Sequence, residues 1–174
     1  RAKLMAGNND LDGGINVYKE YLTDLANNTT APDMIAYGQF LQRYGRADDA
    51  IEVLRNARDL QEAGTFDADI ALSNMLITRA NAMSNQVEAV RGTGQTAKAD
   101  ELAEQRKTLL RDAANSMKRI IDANGDDAAS GLPVHRSYAG VLTDLGQYDE
   151  AEANIAKVAA AAAEKDNDLQ VTLL

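Results

Sequence analysis

The chain contains no cysteine, no tryptophan, two prolines and a single histidine in 174 residues. Without cysteine there is no disulfide and no thiolate metal site, and the redox compartment stays open. One histidine, His135, rules out triads and metal centres built on several imidazoles. No apolar run approaches the ~20 residues that cross a bilayer; Val158–Ala163 is short and mostly alanine. Positive charge is also scarce: 18 Lys and Arg against 27 Asp and Glu give a net charge of −9. An acidic surface of that size argues against nucleic acid or anionic lipid as a partner held by bulk electrostatics. The chain begins at Arg1 without an initiator Met and shows no signal peptide.

Alanine, by contrast, is abundant. Hydrophobic residues make up 45% of the chain but aromatics only 5%, a balance that suits helices packed closely through small side chains. Residues Arg1–Met5 read as the tail of a helix, Gly7–Asp10 as a break. Asp12–Leu25 reads as an amphipathic helix with Ile15, Tyr18, Tyr21, Leu22 and Leu25 on one face. Thr30, Pro32 and Asp33 mark a helix start. Met34, Tyr37, Gly38 and Leu41 come next at helical spacing, and beyond a turn at Gly45 so do Ile51, Leu54 and Ala57. Thr65 is placed to cap the next helix.

From Phe66 to Val90 there is neither Gly nor Pro, and Ile70, Ile77, Ala80, Met83, Val87 and Val90 keep a stripe. Such a helix is roughly 37 Å long. Gly92-Thr93-Gly94 breaks it before a second long run, Thr96–Ala123, whose buried side carries Leu102, Leu109, Leu110, Ala113, Met117, Ile120 and Ile121. Asn124-Gly125 is a stop. Ser130–Pro133 starts a helix bearing Tyr138, Ala139, Val141, Leu142 and Leu145, which turns at Gly146 into Tyr148–Lys165 with Ala151, Ile155 and Val158. Asp166–Leu174 reads as the opening of a further helix.

Units repeat within the chain. Gly45 is followed five residues later by Ala50, then Leu54 and Ala57; Gly146 is followed five residues later by Ala151, then Ile155 and Val158. Upstream, Tyr37-Gly38 matches Tyr138-Ala139 and Leu41 matches Leu142. Asn9 to Ile15 matches Gly45 to Ile51, and a partial unit adds Leu11, Gly14-Ile15, Tyr18 and Tyr21. With Tyr148 in the last unit, these residues resemble the tetratricopeptide repeat family. The middle departs from it. Two regular repeats between Gly45 and Gly146 would need turns near Arg79 and Ala113, where no breaker stands.

The expected fold is therefore all-α: a right-handed α-solenoid of antiparallel helix pairs with one overlong hairpin over about 66–123. Its parts are a partial repeat at 1–28, a repeat at 31–64, an extended hairpin at 66–128, a repeat at 132–165 and the start of a further helix at 166–174. Gly14, Gly38, Ala50, Ala57, Ala139 and Ala151 are the expected small residues at close helix contacts.

Several stretches invite a chemical reading. Asn8 to Ile15 has alternating oxygen side chains and a Gly in sixth place, like a calcium loop, but Lys19 stands where a bidentate carboxylate is required. Asp122 to Asp127 has its Gly too early. Asp48-Asp49 and Asp149-Glu150 recur in the first turn of equivalent helices, where negative charge favours the helix dipole. Gly92 to Thr96 lacks the Lys of a phosphate loop. Asn27 and Asn28 begin sequons that matter only on a glycosylated protein. His135 falls on an apolar face as a packing residue. No catalytic residue, metal or cofactor is expected.

The resemblance implies a concave groove that binds a peptide or protein segment. Gln39, Gln42 and Arg43 would face it from one unit, and Arg136, Gly140, Thr143 and Asp144 from another. Gly140 stands where a carboxylate-clamping Asn would be needed, so capture of chaperone tails is not implied. The expected function is a non-catalytic interaction scaffold with a protein partner, without nucleic acid or direct membrane insertion. The alternatives are an assembly module forming a homo-oligomer through the long hairpin, or an accessory repeat region of a larger multidomain protein. The sequence does not fix the compartment: the cytoplasm is slightly favoured, and a periplasmic or exported location stays open for a chain that reads as a fragment.

Overall fold

The computed structural model describes residues 2–7, 10–25, 28–124 and 132–172. They form an all-α fold, without strands among the described residues. In order the helices are α1 (Ala2–Gly7), α2 (Leu11–Leu25), α3 (Ala31–Arg43), α4 (Ala47–Leu60), α5 (Asp67–Gly92), α6 (Thr96–Asn124), α7 (Leu132–Asp144) and α8 (Tyr148–Thr172). They divide into two compact units, Arg1–Met75 and Leu76–Leu174, so that α5 begins in the first and ends in the second.

Three of the hairpin turns are built alike. At Gly45 the glycine N–H donates to Gln42 O (3.0 Å) and the following Arg46 N–H to Leu41 O (2.9 Å). At Gly146 the same two bonds run to Thr143 O (3.0 Å) and, from Gln147, to Leu142 O (2.9 Å). Both φ angles are 78°, in the left-handed region that a Cβ disfavours, which is why glycine closes the helix there. Gly94, at φ 79°, donates to Arg91 O (3.0 Å). Five residues beyond each glycine an alanine donates back to the carbonyl of the first residue after the turn: Ala50 to Arg46, Ala99 to Gln95 and Ala151 to Gln147. All three alanines are buried.

In the first unit the core joins Ile15, Tyr37, Phe40, Leu41, Ile51, Leu54, Leu72 and Met75. Tyr18 of α2 stacks on Tyr37 of α3 (centroids 5.1 Å apart) and tilts against Phe40 (4.9 Å). Gly14 lies in the α1–α2–α3 crossing: a Cβ there would stand 2.9 Å from both Ala2 O and Phe40 Cζ. Asp33 accepts from the Thr30 N–H (3.0 Å) and hydroxyl (2.6 Å) to start α3, and these bonds hold its carboxyl below the usual carboxylate range. In the second unit Ala80 of α5 shares a core with Leu110, Ala114 and Met117 of α6, Tyr138, Val141 and Leu142 of α7, and Ala151 of α8.

Some expectations are corrected. Ile70, assigned to the buried stripe of α5, is exposed; the first turns of α5 instead bury Ala68, Leu72, Met75 and Leu76, because that end of the helix presents a face rotated from the one that serves its second half. Residues 166–172 do not open a new helix but continue α8, since Lys165 to Asp168 contains no Gly or Pro to stop it; 173–174 lie outside the described residues. Thr65 does not cap α5: its hydroxyl donates to Glu62 O. Tyr21 is exposed rather than buried, its hydroxyl donating to Asp33 at 3.1 Å.

Candidate functional site

The α7–α8 hairpin carries an open groove of about 490 Å³. Its α7 wall is Arg136, Gly140 and Thr143, spaced i, i+4, i+7 and therefore on one helix face. Its α8 wall is Ile155, Val158 and Ala159, and its floor is His135, Ala139 and Asn154. Ile155 is 56% exposed although apolar. Gly140 has open space where a Cβ would stand.

The floor is fixed by a reciprocal pair. Asn154 Nδ2 donates to the His135 carbonyl (2.8 Å), so its Oδ1 is left to accept from His135 Nδ1–H (2.7 Å). His135 is thus a buried residue tying α7 to α8, as a packing role requires, but it does so through a polar couple that helical period alone does not foretell. One signal was there: at the matching places of the first hairpin stand Met34 and Val53, so both residues turn polar together.

Of the seven residues assigned to a groove, the structure brings Arg136, Gly140 and Thr143 together. The Thr143 hydroxyl is spent on Ala139 O (2.9 Å). Asp144 does not line this groove; it is held by Arg106 of α6 at 2.6 Å. In the first unit Gln39, Gln42 and Arg43 stand exposed on α3. The small residues Gly14, Gly38, Ala50, Ala57, Ala139 and Ala151 are all buried. Ala99, which belongs with them, went unassigned although Gly94 precedes it at the same five-residue interval.

A second recess of about 460 Å³ lies among α6, α7 and the start of α8, with Arg111, Asn115 and Lys118 facing Tyr138 and Glu150. Tyr138 donates to Glu150 Oε1 at 2.6 Å. Burial first, then this bond, pushes the phenol well above its ordinary pKa, so it stays a donor and is unsuited to act as a base. Lys118 is paired with Asp122 (2.9 Å).

No group of three or more His, Cys, Asp or Glu that could hold a metal occurs among the described residues. The calcium-like stretch is helical from Leu11 onward, and Asp10 accepts from the Gly13 N–H (2.9 Å) at the helix start; Asn8 and Asn9 lie outside the described residues, as do Asn27 and most of the loop after Asp122. No described helix is long and apolar enough to cross a membrane.

No protein-family model matches the chain, and no curated protein matches it in sequence. Among solved structures it is similar to a crystal structure of MamA at a TM-score of 0.36 and 16% identity, over 95% of this chain and 96% of that one. It is likewise similar to the structure described as the MamA RS-1 ArsTM double mutant, at a TM-score of 0.38 and 14% identity, over 95% and 93%.

Proposed function

We propose that the chain is a non-catalytic interaction scaffold of tetratricopeptide type, which holds a protein or peptide segment on the exposed faces of its first-of-pair helices. The observation that carries this reading is the α7–α8 groove. Arg136, Gly140 and Thr143 converge there on an apolar wall that includes a more than half-exposed isoleucine. Rigid helices bearing an open apolar recess with few polar groups supply what a protein-binding surface needs, a preformed shape with little ordering cost. On α3, Gln39, Gln42 and Arg43 extend the same role in the first unit. The long α5–α6 hairpin is the weaker contact surface, since Met83, Val87 and Ala99 are already buried.

The test is charge reversal of Arg43 and Arg136 to Glu in one protein. Pull-down of co-purifying protein from the native source, identified by mass spectrometry, is expected to fall sharply while helicity stays unchanged. Recovery of the same partners in the same amounts would remove the groove assignment.

A further inference from the structure

We propose that the recess between α6, α7 and the start of α8 is a second docking site, for an acidic segment of a partner protein. Arg111, Asn115 and Gln147 take a glutamate or aspartate side chain there, and a neighbouring apolar side chain of the segment packs beside Leu145. This site is separate from the α7–α8 groove and does not depend on it.

The recess holds about 460 Å³ between three successive helices. Arg111, Asn115 and Lys118 run down one wall as an i, i+4, i+7 row of α6. Tyr138, Leu142 and Leu145 run down the other as the same kind of row on α7. The α7 row is offset by two residues from Arg136, Gly140 and Thr143, which turns it about 200° around the helix. The recess therefore lies on the far side of α7 from those three. Leu142 is buried and Leu145 only half-buried, so an incoming side chain meets apolar carbon at the Leu145 end. Exposed Gln147 stands just across the Gly146 turn from it.

What identifies the occupant is which polar groups are already spent. Lys118 is paired with Asp122 (2.9 Å). Tyr138 donates to Glu150 (2.6 Å), the one carboxylate of the lining, and the charge of Asp122 bears on the same phenol. These four groups satisfy one another. Arg111 stands seven residues, roughly 10 Å, nearer the start of α6. It is exposed, and among the described residues its guanidinium has no hydrogen bond and no ion pair. Other cations of this helix are taken: Arg106 holds Asp144, Lys107 holds Glu104 and Lys118 holds Asp122. Glu104, whose charge Arg111 also reaches, is thus already bridged. The Asn115 and Gln147 side chains are equally unspent; Gln147 uses its backbone alone, donating to Leu142 O and accepting from Ala151. In a chain of net charge −9, a guanidinium left open beside two free amides and apolar carbon suits a carboxylate, which it binds in a fork. Glu150 in the same lining opposes a doubly charged phosphate more than a singly charged carboxylate.

The probe is the peptide acetyl-GSALELAGS-amide, titrated into the isotope-labelled full chain and followed by NMR. The side-chain signals of Arg111, Asn115 and Gln147 are expected to shift together and saturate. Arg111→Gln should weaken binding by about tenfold, the loss of a charge-assisted bond, and Gln147→Ala by about threefold. Both side chains are exposed, so melting should not move. A peptide with glutamine in place of its glutamate should bind about tenfold more weakly, and one with glycine for both leucines severalfold more weakly. Arg136→Glu, on the other side of α7, should leave the titration within about twofold, so a failure here leaves the α7–α8 groove untouched. No saturable shift, shifts confined to other residues, or binding indifferent to Arg111→Gln would overturn the proposal. Equal binding of the glutamine peptide would remove the carboxylate, and equal binding of the glycine peptide would reduce the site to a bare charge contact; either ends it. Tighter binding of a peptide with phosphoserine for glutamate would assign the recess to a phosphorylated partner and overturn it as well.

Discussion

In the hairpin at Gly45 the second helix stops at Leu60 and buries Leu54 to 1%; in the hairpin at Gly146 it runs on to Thr172 and leaves the matching Ile155 56% exposed. The two begin from the same turn, with matching hydrogen bonds and an alanine five residues on. The local code therefore specifies the turn and the pairing of the two helices, while the burial of the residue four places beyond the alanine differs between them. In the first hairpin Leu54 packs on Gly38 of the facing helix; in the second the matching Ile155 stays exposed. The same residue position is core in the first hairpin and exposed in the second.

That contrast is broken most forcefully by truncating the two matching residues. Leu54→Ala removes a buried side chain from beside Gly38 and is expected to cost about 2–5 kcal/mol, as deletions in close-packed cores do. Ile155→Ala should change stability by less than about 0.5 kcal/mol, as exposed substitutions do. Urea unfolding of the two variants measures both. Equal losses would mean that Ile155 is as covered as Leu54.

A smaller effect separates the hairpins by polarity. Where the first hairpin has Met34 and Val53, the second has His135 and Asn154, whose two hydrogen bonds are 2.7 and 2.8 Å. Asn154→Ala strands the His135 Nδ1–H and carbonyl in a buried place and should cost about 1–3 kcal/mol. Replacing both at once, His135→Met with Asn154→Val, transplants the apolar solution of the first hairpin and should recover most of that loss. A double variant no more stable than Asn154→Ala would show that the polar couple has no apolar equivalent here.

How far these differences could be read beforehand varies with their range. The turns at Gly45, Gly94 and Gly146 rest on residues adjacent in sequence, so glycine punctuation located them. The core stripes emerged from helical period wherever one face is buried throughout. The period could not tell that α5 changes the face it buries between Ala68 and Ala80, because Ile70 and Ile77 look alike to it. Nor could it tell that Ile155 is exposed, since burial depends on neighbours outside its own helix. The removal of Asp144 by Arg106, 38 residues away, needed the α6–α7 packing. That Arg136, Gly140 and Thr143 share a face was legible because an i, i+4, i+7 row on α7 is a property of one helix.

The finest contrast lies between two glycines one position out of register. A Cβ on Gly38 would stand 2.8 Å from Leu54 Cγ and 2.9 Å from Cδ2, with Leu54 itself enclosed. A Cβ on Gly140 would meet nothing within 4 Å. Alanine gains about 1 kcal/mol over glycine inside a helix in either place. At Gly38 overpacking costs about 1–3 kcal/mol, so Gly38→Ala should be destabilising by about 1 kcal/mol net. At Gly140 the gain is unopposed, and Gly140→Ala should raise the melting temperature while partly filling the groove. The two melts then separate the two settings of small residues in this chain: Gly38 lets its own helices approach, whereas Gly140 borders open space.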